Sequence, residues 1–139
     1  MRSGLKGAAA LVVAAGLSLP AAAEVGPHAL TNVSLNLLRA YNGGDAAVLH
    51  ELLAPSLKAK YPVEALRAAL TRCRVLTHEI YRFSTPVWGA RRFGFFAVYA
   101  EPKTFEMILE IDEQERIIHW LLTDDLGADH QQCRVSHLD

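Results

Sequence analysis

The 139-residue chain lacks the charge asymmetry that a nucleic-acid binder needs. Fourteen Lys and Arg stand against fifteen Asp and Glu, and the one adjacent basic pair is Arg91 and Arg92. Neutralising phosphates takes a concentrated basic face, so nucleic acid is excluded as a partner. No apolar run comfortably reaches the ~20 residues of a bilayer-spanning helix. A serine elbow, a glycine-rich phosphate loop and a cysteine–histidine signature are all missing, which removes the commonest hydrolase, nucleotide-binding and thiol-enzyme plans. Cysteine is scarce: Cys73 and Cys133 are the only two, without the close spacing of a redox or zinc pair.

What is present begins with an address. Arg2 and Lys6 precede the apolar stretch "AAALVVAAGLSL", and "PAAAE" offers a small-residue cleavage site after Ala23. This pattern predicts a secretory signal over residues 1–23, one domain over 24–126 and a tail over 127–139. Removing 23 of 139 residues leaves 116, enough for a single core. Arg2 and Lys6 go with the signal, leaving 12 basic against 15 acidic side chains, a net charge of −3. The implied location is the periplasm or the medium, with no membrane association after cleavage. An oxidising compartment favours a Cys73–Cys133 disulfide, which in the chain-entropy model adds about 4 kcal/mol and anchors the tail. The alternative is two separate thiols.

Hydrophobic periodicity orders the elements. Leu30, Val33, Leu37, Leu38 and Tyr41 recur at helical spacing, and "NGGD" ends that helix while Asp45 caps the next. Val48, Leu49, Leu52 and Leu53 form the buried side of a short second helix that stops at Pro55. A third starts at Pro62 and buries Val63, Leu66 and Leu70, with Cys73 on the same stripe. After Cys73 the period changes to two. "VLTHEIYRF", "RFGFFAVYA", "TFEMILEI" and "RIIHWLLT" read as four strands, the last three joined by reversals at "EPK" and "DEQE". Three N-terminal helices and an antiparallel meander make an α+β layout, with helices on one face of a curved sheet.

The helix ending in "YNGGDAAVLHELLAP", the helix from Pro62, and "FFAVYAEPKTFEMILEIDEQERIIHWLL" together resemble the nuclear transport factor 2-like superfamily, which includes SnoaL-like cyclases and ketosteroid isomerases. The similarity covers Ala29 to Asp125, and small secreted members without an assigned reaction look most alike. It implies a cone-shaped fold in which a bent sheet wraps the helices and leaves an apolar pocket. Relatives carry glycine in the last hairpin where this chain has Glu115, so Glu115 or Gln114 must accept a left-handed backbone at a cost near ~1 kcal/mol.

The family register sets Ile111 opposite Arg116, Leu109 opposite Ile118, Met107 opposite Trp120 and Phe105 opposite Leu122. Ile108, Ile117, His119 and Leu121 then form an outer face through which relatives pair, so a homodimer is expected, unless the tail covers that face. The expected pocket lining is Tyr41, Trp88, Phe95, Tyr99, Met107, Leu109 and Trp120, suited to a small hydrophobic ligand. A plain filled core would use the same residues.

The isomerases' catalytic positions fall at Leu37, near Tyr61 and at Met107. None of these side chains can supply the required base or fixed oxyanion donors, although Tyr61 can donate a hydrogen bond. The first functional reading is therefore a non-catalytic exported domain that dimerises and holds a small hydrophobic molecule. A second is a SnoaL-like lyase or isomerase with His78 as base and a tyrosine, Tyr61, as acid. A third is an accessory domain that docks on an exported hydrolase. No cofactor is expected. Asp129 and His130 in "DDLGADH" match no standard metal loop, so no metal is expected either.

Overall fold

The computed structural model describes residues 9–16 and 25–138. Residues 9–16 carry no regular secondary structure; the rest of the expected signal, including the cleavage site after Ala23, lies outside the described residues. Among the described residues no helix is long and apolar enough to cross a membrane.

Helix α1 (Ala29–Gly43) buries the stripe read from its spacing, including Leu30, Val33, Leu37 and Tyr41. It stops at Gly44, whose φ of 62° is the left-handed conformation that glycine adopts without a Cβ clash. Asp45 then caps α2 (Ala46–Leu52), its Oδ1 accepting from the Val48 N–H at 3.1 Å. Leu49 and Leu53 reach the core, but Val48 is exposed and Leu52 half-buried, so the buried side of α2 is narrower than its spacing suggested.

Pro55 starts a helix instead of ending the helical region. It sits in the first turn of α3 (Pro55–Lys60), where a missing amide leaves no hydrogen bond unmade. α4 (Val63–Thr77) follows, and it continues through Val75, Leu76 and Thr77, which the periodicity had assigned to a strand. Among the described residues the helices are four, not three.

Among the described residues six strands, not four, form one curved antiparallel sheet: β1 (Ile80–Phe83), β2 (Trp88–Gly89), β3 (Phe93–Ala100), β4 (Thr104–Ile111), β5 (Ile117–Thr123) and β6 (Cys133–Ser136). The order is β1-β3-β4-β5-β6, with β2 beside the other end of the β3 edge that β1 occupies. The expected tail thus supplies an edge strand. Its position is fixed covalently, because Cys73 of α4 and Cys133 of β6 form a disulfide with Cα atoms 5.0 Å apart.

Helices cover one face of this sheet. Phe96, Val98, Met107, Leu109, Trp120 and Leu122 point into that layer and are essentially inaccessible. Gly94 shares their face. A Cβ there would come within 2.6 Å of Leu30 Cδ2, so glycine is what lets α1 lie directly on β3.

The β4–β5 hairpin departs from the expected register by one residue at Ile111 and by two from Leu109 onward. Leu109 pairs with Trp120, Met107 with Leu122 and Ile111 with Ile117. One residue is taken by the turn: Asp112 Oδ1 accepts from the N–H groups of Gln114 and Arg116 at 2.9 Å, and the Asp112 N–H donates to the Arg116 carbonyl at 2.8 Å. Glu115 adopts the expected left-handed conformation, with φ 61°. The other residue is Ile118, an extra residue in a bulge opposite the Glu110–Ile111 step. Because a shift of two preserves facing, Trp120 and Leu122 still point inward. The bulge also turns Ile117 inward, where it is fully buried instead of lying on the outer face.

Candidate functional site

The seven side chains expected to line one pocket do not share one. Tyr41, Met107, Leu109 and Trp120 are packed into the core with at most 1% of their surface accessible, Tyr41 meeting Trp120 edge-on at a ring separation of 6.0 Å. Burial pushes the Tyr41 hydroxyl pKa up to about 12, with the Thr77 hydrogen bond acting in the opposite direction. Trp88, Phe95 and Tyr99 lie on the opposite face of the sheet. The alternation of β3 allows either face inward, and the deciding signal was Gly94: a residue without a side chain belongs where a helix approaches closely, which puts Phe96 inside and Phe95 outside.

The helix-free face carries a continuous apolar band. Cross-strand pairing aligns Trp88 with Phe95, Phe95 with Ile108, Ile108 with Leu121 and Leu121 with Arg134, so one row crosses β2, β3, β4, β5 and β6. Trp88 is 69% exposed and stacks edge-on against Phe93 at 5.5 Å. Phe95 and Ile108 are half-buried, while Leu121 retains 9% of its surface. Beside this row runs a second: Phe93, Glu110, His119 and Ser136. Further along the face the Arg82 guanidinium lies over the Tyr99 ring at 4.1 Å. Of the expected outer-face residues, Ile108, His119 and Leu121 are here and Ile117 is not.

His119 faces Glu110 across the ladder, not Ile108. Its Nδ1 lies 2.7 Å from Ser136 Oγ, which also accepts from the Leu138 N–H at 2.9 Å. Burial holds the imidazole below its ordinary pKa, Arg134 adds to that effect, Glu110 opposes it and His137 adds a smaller depression. Ser136 is fully buried, so this pair orders β6 instead of presenting a nucleophile.

The proposed acid and base of the enzyme reading are far apart. Tyr61 caps the C-terminal end of α3, just before α4 begins, and His78 caps the far end of α4. Fifteen helical residues separate them by about 22 Å. His78 is also exposed and lies outside the packed interior. A proton-transfer pair needs hydrogen-bond reach to one substrate, and this geometry does not provide it. Among the described residues no three His, Cys, Asp or Glu side chains are grouped to hold a metal ion. Comparison with protein-family models, curated proteins and solved structures finds no match for this chain.

Proposed function

We propose that this chain is an exported, disulfide-stapled domain of the nuclear transport factor 2-like cone type, without catalysis of its own, which acts as a homodimer through the helix-free face of its sheet. The observation that carries this reading is the row Trp88–Phe95–Ile108–Leu121–Arg134. An apolar band ending in an exposed tryptophan is expensive to leave in water. A two-fold axis through Ile108 lays the row antiparallel on its copy, setting Arg134 of one protomer over Trp88 of the other. That end-to-end pairing is a cation–π contact, and the apolar centre meets itself. The five strands hold 2, 8, 8, 7 and 4 residues, which at ~3.3 Å per residue and ~4.8 Å spacing give a footprint of roughly 450 Å² per copy, close to the ~1,000 Å² total that separates a stable interface from a fortuitous one.

The fold supports the rest of the reading. Four helices lie on a curved sheet in the chain order that the resemblance implies, and the buried disulfide suits an oxidising compartment. A small hydrophobic ligand inside the cone finds no support, because the expected lining is close-packed or on the other face. The same outer face would serve the accessory-domain reading if its occupant were an exported hydrolase.

Native mass spectrometry and light scattering on the oxidised protein test the proposal. A dimer is expected, and Ile108→Glu is expected to weaken it at least about a hundredfold by burying two carboxylates at the axis. A wild-type protein that stays monomeric at tens of micromolar, or an Ile108→Glu variant that dimerises unchanged, would falsify the homodimer. A monomer recovered with an exported hydrolase, and released by the same substitution, would favour the accessory role.

A further inference from the structure

A second feature lies on the helical layer, away from the band. An open depression of about 570 Å³ is bounded by Gly44, Arg67, Leu70, Thr71, Arg74, Val75, His78 and Glu79. Its cations are not equivalent. Arg67 is ion-paired with Glu64 and has Asp45 in range, so its charge is largely answered. Arg74 lies against Gly44, where an added Cβ would sit 3.0 Å from its Nη1. No hydrogen bond or ion pair within the described residues engages that guanidinium.

His78 is held at the rim in a conformation it would not choose. Its φ of 55° and ψ of −139° belong to a region that glycine occupies and a side chain pays for, at about 1–3 kcal/mol. Buried chemistry enforces it. The Tyr41 hydroxyl bonds Thr77 Oγ1 at 2.6 Å, Thr77 Oγ1 donates to the His78 carbonyl at 2.9 Å, and the His78 N–H donates to the Arg74 carbonyl at 2.8 Å. Two residues on, Asn42 clamps Ile80 at both backbone groups, its Nδ2 donating to the carbonyl and its Oδ1 accepting from the N–H. A glycine would satisfy all of this without strain. The imidazole therefore has to be accounted for by something outside the backbone.

The geometry points to a binding site for a small carboxylate with a short hydrocarbon chain: the carboxylate is held by Arg74 and His78, and the chain lies along Val75. Val75 is 73% exposed, an apolar wall beside the Arg74 guanidinium, and the volume falls in the ordinary range for small-molecule sites. Glu79 at the rim sets the sign of selection, disfavouring a ligand with a second negative charge at that end.

Amide NMR of the oxidised protein titrated with hexanoate, 1-hexanol or inorganic phosphate tests this. Hexanoate is expected to shift the Gly44, Thr71 and His78 amides saturably, with hexanol and phosphate each at least about tenfold weaker. Arg74→Gln is expected to weaken hexanoate at least about tenfold. His78→Gly should keep the fold, raise the unfolding temperature and still lose affinity. The proposal is overturned by absence of saturation, by hexanol or phosphate matching hexanoate, by an unchanged Kd in Arg74→Gln, or by His78→Gly binding as well as wild type.

Discussion

Phe95 and Phe96 are neighbours in one strand and identical in chemistry, yet they report two different environments. Phe96 points toward α1 and is fully buried; Phe95 points away and is half-buried in the row that ends at Trp88. The inner face is determined by volume: every side chain there meets another element, and Gly94 is present because nothing larger fits. The outer face is determined by pairing across strands, with Glu110 and Arg134 interspersed among apolar groups. One face stabilises the monomer, and the other is where a second molecule would contribute.

Truncating each phenylalanine separates these roles most sharply. Phe96→Ala should lower unfolding free energy by about 3–5 kcal/mol in urea titrations, because the cavity it leaves is enclosed. Phe95→Ala should cost under about 1 kcal/mol in the monomer and act on self-association instead. Equal losses at the two positions would erase the distinction between the faces.

A smaller effect marks the one ionisable group buried in the outer rows. The folded-state pKa of His119 is depressed, so the unfolded chain binds its proton more readily. Stability from this group is complete above its ordinary value of 6.5 and is lost as pH falls below it, levelling off once the folded value is passed. Thermal unfolding between pH 8 and 5 should follow that course, with a slope of no more than about 1.4 kcal/mol per pH unit. His119→Gln should flatten it; an unaltered pH profile in that variant would assign the effect elsewhere.

The smallest expected change is a gain. Glu115 holds a left-handed backbone in the hairpin where the register is set, and Glu115→Gly should stabilise the fold by about 1 kcal/mol, read as a rise in Tm. A loss instead would mean that the glutamate side chain contributes more than its backbone strain costs.

Much of this architecture was legible in the residues. The apolar stripes of α1 and α4 and the Asp45 cap have local causes and are found where the pattern put them, the cysteine pairing followed from the expected compartment, and the resemblance pointed to a left-handed residue at Glu115 or Gln114, found at Glu115. Other features were not legible, for different reasons. Pro55 can close one helix or open another, and only the chain path of α3 decides. "VLT" is apolar and β-branched enough to suit a strand, but its position continues the α4 stripe. "CRVS" is too short to announce β6 without its partner. The bulge at Ile118 arises from the meeting of a turn and a ladder, which no single segment encodes, and it moved Ile117 from one face to the other. The depression beside His78 was equally hidden, since it joins α4 to a turn some thirty residues earlier in the chain.

The segment between β5 and β6 is largely exposed from Asp124 to Gln132, the kind of loop a protease can cut. Hydrolysis there would sever the polypeptide without releasing anything, since β6 stays hydrogen-bonded to β5 and covalently joined to α4 through Cys73–Cys133. The nicked molecule would migrate as one species until a reductant was added, and only then as two. Tolerance of a cut is thereby built into a crosslink whose two ends lie on opposite sides of this exposed loop.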